Sequence, residues 1–148
     1  MQSKIRRLAD LTLVEQVLLL QLTVLSLALR VLLLTMTLSR LASFLSRTAS
    51  SPLLSLIPLF QTYCPTDRLL MLIDAATAVS HKDGRCLPRS LLLFWLLRTN
   101  RRSVSLCLGV SKTFATLEGH AWVEQDGVVL GDTPSFTNRY ALLLRLPA

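Results

Sequence analysis

An α+β fold with its helices first is what this sequence predicts, on three observations. Residues 11–45 contain neither Gly nor Pro and are dominated by leucine, valine and alanine, which reads as helix. Residues 67–79 and 90–97 are further apolar runs with helical character. From residue 103 the period shortens to two, as Val104, Leu106 and Leu108 alternate with Ser103, Ser105 and Cys107, which is a strand signal. Helices followed by a run of antiparallel strands make an α+β domain. The 148 residues divide into a leucine-rich helical region over 1–65 and a core over 66–148, a length that gives room for one real hydrophobic core.

Within the first helical stretch, Gln16, Thr23, Arg30 and Thr37 recur every seven positions, with Ser26 close to the same line. A seven-residue step returns to nearly the same side of a helix, so these residues draw a narrow polar stripe on an otherwise apolar rod. The rod must then be covered on most sides, by its own domain or a partner, by the membrane interface, or by lipid as a spanning helix. Arg30 argues against the last, because an arginine near the bilayer centre costs about 2.5–3.5 kcal/mol. Residues 48–65 hold Pro52, Pro58 and Pro65 and are expected to form a hinge. Residues 67–79 place Leu69, Leu70, Leu72, Ile73 and Ala76 on one side of a helix, and residues 80–85 form a polar turn ending in Gly84-Arg85. The next apolar helix carries Pro88 in its first turn, where a missing amide costs nothing. After the strand at 103–108 a loop runs to His120; residues 120–124, Asp126-Gly127 and 128–130 then read as a β-hairpin.

Composition narrows the function classes. Apolar residues make up 51% of the chain, and 16 Lys and Arg against 9 Asp and Glu give a net charge of +7. That excess suits an acidic peptide, a nucleic acid or an anionic membrane surface, or is simply a basic, inert surface. No nucleic-acid motif or aromatic platform accompanies the charge, and no Gly-rich phosphate loop is present, so neither nucleic acid nor nucleotide is expected. Cys64, Cys86 and Cys107 form an odd set without a CxxC pair or a cleavable signal pattern. A reducing cytoplasm is the expected compartment, with membrane contact through the first helix as an added option. Cys64, His81 and Cys86 match no familiar metal-ligand spacing, and no metal or other cofactor is expected.

Three residues carry the chemistry this chain offers: Cys86 in Gly84-Arg85-Cys86-Leu87-Pro88-Arg89-Ser90, His120 in Gly119-His120-Ala121-Trp122-Val123-Glu124, and Asp132 in Leu130-Gly131-Asp132-Thr133. Cys86 precedes Pro88 by two residues, at or just before the first turn of a helix. Unpaired amides and the positive end of the helix dipole there favour a thiolate, and its backbone amide is placed to bind an oxyanion. His120 is expected at the start of a strand with Trp122 and Glu124 on its face. Asp132 would orient the imidazole if the hairpin brought it alongside. A two-residue turn at Asp126-Gly127 sets Asp132 opposite Ala121, pointing away; a three-residue loop over Gln125-Asp126-Gly127 sets it opposite His120. A triad therefore predicts the longer loop. The alternatives are an ordinary buried thiol at Cys86, which is also the reading for Cys107, and a turn in which Asp132 only caps Thr133 and Pro134. His81 is a rival base in a polar turn with no orienting partner.

Arg85-Cys86-Leu87-Pro88-Arg89-Ser90 with its following leucines, Leu108-Gly109-Val110 with Phe114-Ala115, and His120-Ala121-Trp122-Val123-Glu124 with Asp126-Gly127 resemble the transglutaminase-like cysteine peptidases of lasso-peptide biosynthesis, the B proteins of that machinery. The resemblance spans about residues 84–132. It implies a papain/transglutaminase-like core with the nucleophile at a helix N-terminus packed on an antiparallel sheet. It implies a bacterial enzyme that removes the leader from a ribosomally made precursor peptide, after which a separate ATP-dependent lasso cyclase closes the macrolactam. Carried over, Cys86 is the nucleophile, His120 the general base and acid, and Asp132 the orienting carboxylate. The first 80 residues show no strands from which to build a winged-helix leader-binding domain, so the resemblance is to the split form, which works with a separate leader-binding recognition protein. The same thiol would serve an acyl transferase, and a scaffold without catalysis would use the leucine-rich helix to hold a partner or a membrane component.

Overall fold

The computed structural model describes residues 11–49, 65–80, 84–113 and 116–146. The expected hinge lies largely outside these, as do Cys64, His81 and Phe114-Ala115. In chain order the elements are α1 (Leu13–Thr35), α2 (Leu38–Ala49), α3 (Thr66–Ser80), α4 (Cys86–Thr99), β1 (Ser105–Thr113), β2 (Thr116–Gln125), β3 (Val128–Leu130), a one-turn α5 (Pro134–Thr137) and β4 (Ala141–Leu146). The four strands form one sheet in the order β3-β2-β1-β4, antiparallel throughout. The fold is α+β, helices first, as the change of hydrophobic period predicted.

α4 is the centre of the molecule. Pro88 and every residue from 90 to 97 are buried, so the helix is apolar all round, the mark of an element enclosed by its own protein. One side meets β1 and β2, the other meets α1, α2 and α3. Leu18, Leu22 and Leu29 of α1 and Leu41 of α2 share a single buried cluster with Leu72 and Ile73 of α3, Phe94 of α4, and Leu106 and Val123 of the sheet.

Where the sequence reads as one unbroken helix over residues 11–45, the chain breaks at Met36, which is extended at φ −123° and ψ 148°. Thr35 and Thr37 flank the break, β-branched residues of low helix propensity, and the Thr35 hydroxyl donates to the carbonyls of Val31 and Leu32. The break lets α2 fold back on α4, where the Trp95 indole donates to Thr48 Oγ1 at 3.1 Å. α1 starts with a capping box: Thr12 Oγ1 accepts from the Glu15 amide, and the Glu15 carboxylate accepts from the Thr12 amide at 2.9 Å. The same carboxylate pairs with Arg68 of α3 at 2.9 and 3.2 Å.

The expected loop before His120 is strand. β1 and β2 stay in register from Ser105↔Glu124 to Thr113↔Thr116, so His120 lies in mid-strand opposite Gly109. Residues 116–119 lack strict alternation of apolar side chains, and the pairing with β1 supplies what their side chains do not. β4 and α5 are elements the sequence pattern did not reveal. β4 is an edge strand whose leucines do not alternate, and its pairing to β1 is interrupted by a bulge beside Leu108 and Gly109.

Candidate active site

Cys86 is the first residue of α4 and is partly exposed. Arg85, just before the helix, supplies no side-chain cap, and Pro88 has no amide to offer. Among the described residues, nothing accepts from the Cys86 and Leu87 amides. An anion at Cys86 would therefore sit at the positive end of the helix, beside its first-turn amides.

One turn along the same face, Ser90 Oγ donates to the Ala121 carbonyl at 2.8 Å in a buried setting. This bond ties α4, one turn after Cys86, to the residue beside His120. No hydrogen bond joins Cys86 to His120 themselves.

His120 and Asp132 do meet: Nε2 lies 3.2 Å from Asp132 Oδ2, with the two side chains 11% and 19% exposed. They do so through a register opposite to the one expected. Val123↔Leu130, Glu124↔Val129 and Gln125↔Val128 are paired, so the turn is the two-residue Asp126-Gly127, whose central φ values of 51° and 79° are those a type I′ turn requires. Continued as a ladder, that register would carry Asp132 away from the imidazole. The ladder instead stops at Leu130, and Gly131 at φ 77° swings the chain out of the sheet. The left-handed conformation at Gly131 calls for glycine, and a Cβ there, 2.8 Å from Arg89 Nη2 and 2.6 Å from Leu70 Cδ2, would push both side-chain ends aside.

Arg89 holds that bend. Its Nη2 donates to the Gly131 carbonyl at 2.9 Å, its Nη1 stands 3.6 Å from Asp132 Oδ2, and its Nε pairs with Asp74 of α3. A planar guanidinium can grip three groups in this way. In the sequence Arg89 stands only as part of the motif around Cys86; its place one turn after Cys86 and beside Ser90 is the signal that it faces the same region.

The imidazole rests among aromatic rings. Trp122 lies stacked at 6.0 Å between centroids, Phe136 edge-on at 5.0 Å and Tyr140 tilted at 5.0 Å. Trp122 and Glu124 share the His120 face, as alternation predicted, and Trp122 Nε1 donates to Glu124 Oε1 at 2.7 Å. Gly109, opposite His120, clears the floor for these rings: a Cβ there would come within 2.9 Å of Tyr140 Cβ and 3.0 Å of Trp122 Cη2. With Nε2 committed to Asp132, a neutral imidazole carrying its proton there leaves Nδ1 as the basic nitrogen.

Cys107 is a different thiol. It is fully buried in β1, and burial, then the Glu124 carboxylate, push it up to about 11. It stays a protonated packing residue, as its position in a strand suggested. Among the described residues no cluster of three or more His, Cys, Asp or Glu side chains is placed to hold a metal ion.

The family model described as the transglutaminase-like superfamily matches residues 20–145, most of the chain. No curated protein and no solved structure matches it.

Proposed function

We propose that this chain, which belongs to the transglutaminase-like superfamily, is a cysteine peptidase that removes the leader from a lasso-peptide precursor. The superfamily includes cysteine peptidases and acyl transferases, and the α+β fold is that of its core. The observation that carries the reading is the His120 Nε2 to Asp132 Oδ2 contact at 3.2 Å, on a strand pinned by Ser90, one turn along the helix that begins with Cys86.

In the proposed reaction Asp132 fixes the imidazole, and His120 Nδ1 takes the Cys86 proton. The thiolate attacks the carbonyl carbon of the peptide bond joining leader to core, and amides at the α4 N-terminus receive the oxyanion. Collapse of this intermediate breaks the C–N bond. The imidazolium returns its proton to the departing core amine, and the leader remains as a thioester on Cys86. Water, deprotonated by His120, then releases the leader as a carboxylic acid and restores the thiol. The partners are the precursor peptide, a separate leader-binding recognition protein, and the ATP-dependent cyclase that takes up the freed core; none is a nucleic acid. The proposed setting is the cytoplasm.

The experiment is mass spectrometry of a precursor incubated with this protein and its leader-binding partner, wild type beside Cys86→Ala. Free leader and core whose masses sum to the precursor plus one water, formed by wild type alone, support the peptidase. A leader joined to an added amine would assign acyl transfer, and cleavage that survives in Cys86→Ala would remove the thiol from the reaction.

A further inference from the structure

The outward face of α1 has a pattern that neither the core nor the site uses. Its buried line runs through Leu18, Leu22, Ser26 and Leu29. On the opposite side Val17, Val24 and Val31 alternate with Leu13, Leu20, Leu27 and Leu34, each 39–82% exposed. The steps between them are 4, 3, 4, 3, 4 and 3 residues. This is a heptad seam with valine at every a position and leucine at every d position, the combination that favours parallel two-stranded coiled coils.

We infer that α1 pairs with α1 of a second copy of this chain as a parallel, in-register coiled coil, making the protein a twofold dimer. The seam is self-complementary, so valine layers meet valine layers and leucine layers meet leucine layers, as an isologous interface requires. In the parallel register the flanking g residues Gln16, Thr23 and Arg30 face Gln21, Ala28 and Thr35 of the other copy, which sets no like charges together.

The seven exposed side chains carry on the order of 700 Å² per protomer, and removing that from both copies exceeds the roughly 1,000 Å² that a specific interface clears. Three heptads alone form a marginal coiled coil. Here the helix is already ordered against α3 and α4, so association has little folding entropy to overcome. The protomer bodies hang on the far side of each α1. Within the protomer the helix packs mainly on α3, with further contacts to α4 and α2.

By length and hydropathy α1 would also cross a membrane, and 22% of its most apolar window is buried. A lipid surface needs no alternation of valine with leucine, however. Interfacial helices carry Lys, Arg and aromatic residues beside the apolar face, whereas α1 has Arg30 as its one basic residue and no Trp, Tyr or Phe.

Light scattering on the purified full chain tests the pairing. Wild type should show twice the monomer mass, and Val24→Glu with Leu27→Glu should halve it while keeping the circular dichroism and cooperative melting of the wild type. Leu34→Cys, oxidised beside wild type as background, should gain a cross-link to itself, because position 34 meets position 34 only when the helices run parallel. A monomeric wild type, or a double variant that stays dimeric, overturns the inference. So does cross-linking of Leu34→Cys only to added Leu13→Cys chains, the antiparallel result. Sedimentation of a monomeric wild type with phosphatidylcholine–phosphatidylglycerol vesicles, lost in the double variant, would give the seam to lipid instead.

Discussion

Asp132 is held from two directions, by the His120 ring at 3.2 Å and by Arg89 at 3.6 Å, and the two contacts have different consequences. Asp132→Asn keeps the shape but offers the imidazole an amide, which misorders the tautomer. On the proposed mechanism kcat should fall by about 10²- to 10⁴-fold with KM little changed, as measured by initial rates of precursor cleavage. Arg89→Met leaves the Asp132 side chain intact but frees the bend at Gly131. A loss of about 10²-fold in kcat is expected, only partly recovered by Arg89→Lys, because an ammonium cannot grip the Gly131 carbonyl and two carboxylates as a fork does. An equal loss in melting temperature for Met and Lys, with no difference in kcat between them, would make Arg89 a purely structural residue. The two described thiols should separate just as clearly. Peptide mapping after brief iodoacetamide treatment at pH 7.5 should find label on Cys86, which is partly exposed at the start of a helix. Cys107 should stay unlabelled until the protein is unfolded, since it is buried and pushed up to about 11.

The β1–β2 pairing decides where the imidazole sits, and Gly109 is the residue on which that pairing and the aromatic box meet. Gly109→Ala should cost about 1–3 kcal/mol by overpacking against Tyr140 and Trp122, read as a lowered denaturation midpoint, and should reduce activity at temperatures where the variant is still fully folded. A folded, fully active alanine variant would show that the rings can give way without moving His120. The elements around the site were unevenly legible. The helix carrying Cys86 was plain from Pro88 and the apolar run after it, and the face shared by His120, Trp122 and Glu124 followed from alternation. The hairpin type was readable from Asp126-Gly127, which favours two-residue turns, but the requirement that Asp132 reach His120 pointed to a longer loop. What reconciles turn and contact is the exit from the ladder at Gly131, set by Arg89 from another element. A register argument confined to the two strands has no access to such a tertiary contact.

The same distinction between local and tertiary information holds for the molecule. Local periodicity showed that the first helix has a polar stripe and wide apolar sides, yet it could not say which apolar side the core takes. That is settled by α3 and α4, which cover Leu18, Leu22 and Leu29 and leave the heptad seam outside. Glu15 anchors this choice, since one carboxylate closes the Thr12 capping box and bridges to Arg68 of α3. The Thr12 amide first, and then Arg68, hold its carboxyl below the ordinary value of 4.5 despite an opposing effect of burial. In the unfolded chain that hold is gone, so near and below pH 4.5 the unfolded state binds more protons and stability must rise with pH. The contribution is complete above the ordinary glutamate range and disappears as pH falls through the lowered folded value. Thermal melts of wild type and Glu15→Gln should therefore differ at pH 7, with wild type higher, and converge toward pH 3. Low salt should widen the pH 7 difference, because Arg68 is 40% exposed and its attraction is screened. A difference that persists unchanged at pH 3 would mean that glutamine disturbs packing at the start of α1, and that the carboxylate's charge does not dock the helix.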